Sequence, residues 1–561
     1  MFVRLAPLLT LGLMIGPVLA GLIGTLLPAF GWMPVLGRAE VSVQAWRELF
    51  ATPGLGRSVA ISLWVGVATT LGSLVIVVVI AAASHGTRTF TLIRRTLSPI
   101  LAIPHVAVAA GLAFVIAPSG LLFRLWSTYL GGPPHPPDLL IVNDTWGFAL
   151  MAGLVLKEVP FLILMLLSAL PQADAGRSLI VARTLGYGPV AAWLKAVLPR
   201  LYPQMRLPIL AVLAYGVSVV DVALVLGPTT PPTLPVQILK WMNDPDLSLR
   251  FRASAGAVLQ LVLVAAAVAF WLMAERVVSR LMRPWLDAGQ RAAGERNARI
   301  VSFALVSVLV ALVAGAAVSI LLWSFAEAWR YPNPLPAAFT LDNWRNESAR
   351  AAILLRNTLM VSLAATAIAL ALTIGCLEKE VRFGRHGTEA TALWLLYLPL
   401  LVPQIAFLLG LQILLIQVRL DETFIAVVLT HGVFVLPYVF LSLADPWRAY
   451  DERFRQVALT LGASPFRALI AIRLPMLSRA CLAAAAIGIA VSAGQFLATQ
   501  LVAGARWPGI TTEAVAISSG GNRRTLAIYA LLQTLVPLIA FAVATLLPAV
   551  WFRHRRGMGS T

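Results

Sequence analysis

Charge is what this sequence has least of. Asp, Glu, Lys and Arg together make up 12% of its 561 residues, while 59% are hydrophobic and the mean hydropathy is +0.86. Soluble domains carry about 25% charged residues, so a water-facing surface of this size cannot be clothed, and disorder is excluded as well. Cysteine is nearly absent. Cys376 and Cys481 both lie in apolar stretches, which excludes a disulfide scaffold and makes them packing residues. Lysine is rare too: Lys157, Lys195, Lys240 and Lys379 are the four, and none follows a glycine. The chain therefore holds no Gly-Lys phosphate-binding loop and no ATP site of that kind. No His-Glu-x-x-His or Gly-x-Ser-x-Gly pattern and no Asp-rich prenyl-binding pattern occurs, and the six histidines are scattered. The sequence gives no catalytic residue, no metal site and no cofactor. His105 and His431, in or beside apolar runs, are read as helix-packing residues.

What is abundant is the long apolar run. A bilayer core of about 30 Å takes about 20 helical residues. Twelve stretches qualify: 5–30, 58–84, 98–118, 146–171, 204–227, 254–275, 300–324, 351–376, 391–416, 424–446, 479–503 and 525–551. The expected fold is an all-α polytopic membrane protein of about 12 transmembrane helices. Val18-Leu19-Ala20 resembles a cleavage site, but the apolar run continues through Leu27, so the first stretch is expected to remain as a span. With the N-terminus placed inside, the inner segments hold 27 Lys and Arg against 14 in the outer ones. The positive-inside bias thus puts both termini in the cytoplasm. The net charge of +19 is a topology signal with some attraction to lipid headgroups, and no nucleic-acid footprint.

The twelve stretches form two sets of six. VARTLGYGPVAAWLKAVLP (181–199) and VALTLGASPFRALIAIRLP (457–475), at an offset of 276, share nine of 19 positions. IPHVAVAAGL (103–112) and VPQIAFLLGL (402–411) match at an offset of 299. Each set has the same order and orientation, giving two parallel six-helix repeats. The expected organisation is a first span and external loop (1–53), a first repeat core (54–275), a cytoplasmic linker (276–299), a seventh span and external loop (300–350), a second repeat core (351–551) and a cytoplasmic tail (552–561). In the repeated loop, helix formers lead to Gly186 or Gly462, where the chain turns. Pro189 or Pro465 opens a second short helix, which Leu198-Pro199 or Leu474-Pro475 ends. Two matched, basic and partly apolar loops on the cytoplasmic side suit a two-fold symmetric cytosolic partner.

These loops resemble the EAA loop of binding-protein-dependent ATP-binding-cassette (ABC) importer permeases of the type I fold. Ala182 and Ala458 match the second alanine of that signature, Gly186 and Gly462 its glycine, and Leu198-Pro199 and Leu474-Pro475 its end. Ile180 and Gln456 stand where glutamate is usual. GPTTPPTLPVQI (227–238) and SAGQFLATQLVAG (492–504) are similar to the stretches after the matching helices. Having both halves in one chain resembles the ferric-iron and thiamine importer permeases.

The resemblance implies a permease of the bacterial inner membrane that moves a small solute by alternating access. A cytosolic ABC ATPase dimer would dock on Ala182, Gly186, Leu198, Pro199, Ala458, Gly462, Leu474 and Pro475, and a periplasmic substrate-binding protein would deliver the cargo. The alternative is a gradient-driven secondary transporter with 12 spans, which would place ionisable groups inside the membrane. Lys157 and Glu158 in the fourth span, Asp221 in the fifth and Gln495 in the eleventh are the candidates for a pathway, with local ion pairing or interhelical hydrogen bonding as the structural alternative.

Overall fold

The computed structural model describes residues 2–38, 40–87, 90–93, 103–292, 294–384 and 389–551. The expected inner cations Arg88, Arg94 and Arg95, the start of the third stretch and the tail 552–561 lie outside the described residues. The described residues are mainly helical, joined by loops, and include a small antiparallel pair, Ala326–Ala328 with Ala338–Phe339. Nine helices among the described residues are long and apolar enough to cross a membrane, and two sharply bent pairs bring the number to eleven. The remaining expected span, 204–227, is covered by the helices Leu198–Ser218 and Asp221–Leu226, the first of which begins in a basic segment.

Both copies of the 299-offset motif fold alike. The helix His105–Ile116 starts directly after Pro104 and Gln404–Gln417 directly after Pro403. Proline suits that place because the first residues of a helix have no carbonyl to donate to. In the second copy the preceding helical piece meets its helix at 90°.

The order of the spans conceals a crossing. The first helix, Phe2–Ala29, packs on the second half: Thr25 Oγ1 donates to the Ala406 carbonyl at 2.7 Å, and Met14 belongs to the second half's core. The seventh-span helix, Glu295–Phe325, packs on the first half, against His105–Ile116. Glycine permits both contacts. A Cβ on Gly410 would stand 2.0 Å from the Gly21 carbonyl oxygen and 2.3 Å from the Thr25 nitrogen. One on Gly111, the residue 299 positions earlier, would stand 2.7 Å from the Ala316 Cβ. Small residues at such crossings let two backbones approach in a solvent that supplies no hydrophobic drive between helices.

Candidate functional site

The two repeated loops have nearly the same conformation. Helices Ala175–Thr184 and Arg453–Thr460 end at Gly186 and Gly462, both at φ +85°. That left-handed turn is nearly free for glycine and strained for other residues. Short helices Pro189–Ala192 and Pro465–Ala468 follow, each opened by its proline. Each then widens into one π-type turn, Trp193–Val197 and Leu469–Arg473, at the same offset of 276. Such turns are rare and concentrate at functional places. No sequence signal marks them except the repetition itself.

The loops expose matching apolar side chains. Val181 and Val457 are 58% and 56% exposed, and Leu185 and Leu461 are 59% and 82%. Ile180 and Phe466 add to the two faces. Ala182 and Ala458 point the other way and are buried against their own chain. Gly186, Gly462 and Pro199 are exposed, and Leu198, Leu474 and Pro475 are half-buried. The alanines therefore seat each helix, while Ile180, Val181 and Leu185 in the first loop and Val457, Leu461 and Phe466 in the second form the open face.

Each loop is tied down differently. In the first, Glu295 accepts from the Val190 backbone N–H at 2.9 Å and so caps the start of the short helix. Gly188 N–H donates to the Arg291 carbonyl at 2.8 Å, and Lys195 Nζ donates to the Trp285 carbonyl at 2.8 Å. The linker thus clasps this loop. In the second, Arg473 is buried, 3.3 Å from Glu378 and 2.8 Å from Glu452, between the rings of Trp447 and Tyr450. Glu378 also pairs with Arg382 at 2.6 Å, and Arg382 donates to the Pro465 carbonyl at 3.2 Å. Removing one partner of a buried pair costs up to about 3–5 kcal/mol when the other charge is stranded. Here, without Glu378, Arg382 loses its carboxylate while Glu452 still faces Arg473, so the loss is smaller than that limit. Glu378→Leu should therefore lower the melting temperature of the purified protein clearly, whereas Arg453→Gln, at an exposed pair, should leave it unchanged. Nearby, the Arg453 side chain and backbone N–H hold the Asp451 carboxyl below its ordinary range. At the first loop, burial, helped by the charge of Arg183, pushes His85 below its usual value.

The interior candidates fall into two groups. In the first half Lys157 and Glu158 are both buried. Lys157 Nζ donates to the Ile103 carbonyl at 2.6 Å, and Glu158 lies 4.0 Å from His105 Nε2. The His105 ring packs on Tyr215 at 5.1 Å, and the Tyr215 hydroxyl donates to Asp221 at 3.4 Å. Tyr438, from the tenth span, stands close enough to Glu158 and Tyr215 to interact with both electrostatically. One polar chain thus joins four of the first half's elements and borders the second half.

Gln495 lies apart from it, beside a small space lined by Asn357, His431, Ser492 and Thr499. There His431 is held between the Ser492 hydroxyl at 2.9 Å and the Thr499 hydroxyl at 3.2 Å. Asp221 and Gln495 share a setting, however. The fifth span breaks after Ser218 and resumes at Asp221, and the eleventh breaks after Ala493, just before Gln495. Unwound backbone inside a membrane is tolerated where protein or a polar cavity surrounds it, and such breaks border the binding sites of many transporters.

Comparison with known proteins follows the same lines. The chain is 31% identical over 519 residues to the inner membrane ABC transporter permease protein YnjC of Escherichia coli strain K12, covering 92% of both chains. It is 28% identical over 190 residues to the putrescine transport system permease protein PotI of the same strain, covering 32% of this chain and 66% of PotI. No protein-family model matches.

Proposed function

Because the chain belongs to the ABC transporter permeases, we propose that loops 175–199 and 453–475 are the grips for two cytosolic ATPase subunits. A permease with no ATP site of its own takes its energy from such partners. The carrying observation is the pair of π-turn loops with equivalent residues exposed, Val181 and Leu185 in one and Val457 and Leu461 in the other. Apolar side chains grouped on one exposed face, as Ile180, Val181 and Leu185 are, mark an interaction surface where scattered ones do not. A pair of identical ATPase subunits has the two-fold symmetry that the loops share.

In this reading both termini face the cytosol of a bacterium and the chain spans the inner membrane. The inner linker 276–299 braces the first loop, and a periplasmic binding protein delivers solute to the opposite face. Loop contacts support a single sidedness. Glu295, Trp285 and Glu378 meet the inner loops, while Arg252 meets Glu48, and Arg350 meets Glu513, among the outer ones. ATP would draw the grips together and rock the two halves, a balance set by differential binding to the two states. Asp221 and Gln495, at the breaks of their spans, border the path, with Lys157 and Glu158 behind Asp221.

The test is reconstitution of the purified chain in proteoliposomes with its ATPase subunits and the solute-loaded binding protein. Uptake should require ATP and survive collapse of ion gradients. Uptake that persists without ATPase subunits and vanishes with the gradient would overturn the reading. Asp221→Asn should reduce transport at least several-fold while expression and melting temperature hold. A parallel fall in expression and uptake would make Asp221 a structural residue.

A further inference from the structure

On the outer side a cavity of about 700 Å³ opens between the halves. Its wall comes from the end of the third span (Ser119, Arg124), the seventh span and the loop after it (Trp323, Trp329, Tyr331), the start of the eighth (Asn343, Asn346, Glu347) and the start of the last (Asn522, Arg523, Arg524). Two guanidinium groups converge there. Arg124 is 2% exposed and donates to four backbone carbonyls: Ser119 at 2.9 Å, Arg330 at 2.8 Å, Asn333 at 2.9 Å and Trp329 at 3.1 Å. Arg523 donates to the Ser119 hydroxyl at 2.7 Å and to the same Ser119 carbonyl at 3.4 Å. Both lie over the Trp323 ring, at 5.9 and 5.4 Å.

Neither has a carboxylate partner among the described residues. Glu347, the one acidic side chain in the wall, is engaged by the Tyr529 hydroxyl at 2.8 Å, and neighbouring Arg350 is taken by Glu513 at 2.9 Å. Like charges held together without a counter-charge are costly, and burial raises the cost. Arg124 has one of its five N–H groups uncommitted and Arg523 has three. Arg524 adds a third cation at the rim.

We propose that this cavity is a binding site for a small soluble oxyanion, carrying a carboxylate or phosphate group, which would complete the ion pairing of Arg523 and Arg124 across the two halves. The volume falls in the small-molecule range, and guanidinium groups present a donor fork suited to such oxygens. Arg124, fixed by four carbonyls, positions the wall, while Arg523 and Arg524 face the occupant. The site is distinct from the interior candidates and does not depend on the ATPase grips.

The experiment is titration calorimetry on the full purified chain in lipid nanodiscs, without partner subunits, using inorganic phosphate, sulfate and succinate, with chloride and glucose as controls. Saturable binding of at least one oxyanion is expected, weakened at least tenfold in Arg523→Gln and several-fold in Arg524→Gln, and only partly kept in Arg523→Lys, which keeps the charge and loses the fork. The same anion should raise the melting temperature of the parent and not of Arg523→Gln. If Arg523→Gln fails to fold, the exposed Arg524→Gln carries the comparison. No saturable binding of any of the three anions, or binding indifferent to Arg524 and Arg523, would overturn the proposal.

Discussion

Gly410→Leu should yield almost no folded protein. Side chains inserted into a close-packed interior ordinarily cost about 1–3 kcal/mol, because neighbours can shift or rotate. Here they cannot. A Cβ at Gly410 would meet the Gly21 oxygen at 2.0 Å, the Thr25 nitrogen at 2.3 Å and the Gly24 carbonyl carbon at 2.5 Å, all main-chain atoms of another helix. Relief requires moving the first helix off the second half, which also breaks the hydrogen bond from Thr25 to Ala406. Gly111→Leu should be milder, since the nearest obstacles are the Ala316 Cβ at 2.7 Å and the mobile end of Ile320 at 2.9 Å. Fluorescence-detected size-exclusion of detergent extracts would rank the two. Equal monodisperse yields would refute the backbone-contact argument.

The double variant Leu185→Glu/Leu461→Glu should fold normally and lose ATP-driven transport. Both side chains are more than half exposed, so the charge meets water in the isolated protein and stability should hold. In the complex each would bury an unpaired carboxylate where an apolar anchor belongs. Each buried, unpaired carboxylate costs about 2 kcal/mol or more, so the pair should weaken capture of the ATPase subunits by a factor of several hundred or more. Co-purification with tagged ATPase measures this directly, and either single variant should give an intermediate loss. Unchanged capture with the double variant would show that these faces are not the grips.

Much of this architecture is legible in the residues because a bilayer imposes a single strong rule: apolar runs of sufficient length become spanning helices. The loop repeat is legible for a different reason, since nine identities in 19 positions at one offset stand well above a chance match. The partner of each helix was not legible. Nothing in 5–30 says that it crosses to the other half, because lipid and a neighbouring helix are nearly equivalent to an apolar side chain. The motif around Gly111 and Gly410 was visible as a repeat, yet its reason is a contact with residues hundreds of positions away. Charge also misleads. Arg473 and Arg124 add to the charge tally of opposite sides, but one is buried with Glu378 and the other among carbonyls. The alanines of the loop motif face inward, so they record how the loop is seated, while the neighbouring apolar positions carry its exposed face.

The crossing of the first helix has a consequence for biosynthesis. Residues 2–29 leave the ribosome some 375 residues before the helix Gln404–Gln417 on which they come to rest. At a synthesis rate of about 5–20 residues per second, that is a wait of roughly 20–75 s. During it the glycine-lined stripe of the nascent N-terminal segment must be held by lipid or by the insertion machinery. Tethering both halves on a single messenger ensures that the awaited surface emerges beside the segment that needs it.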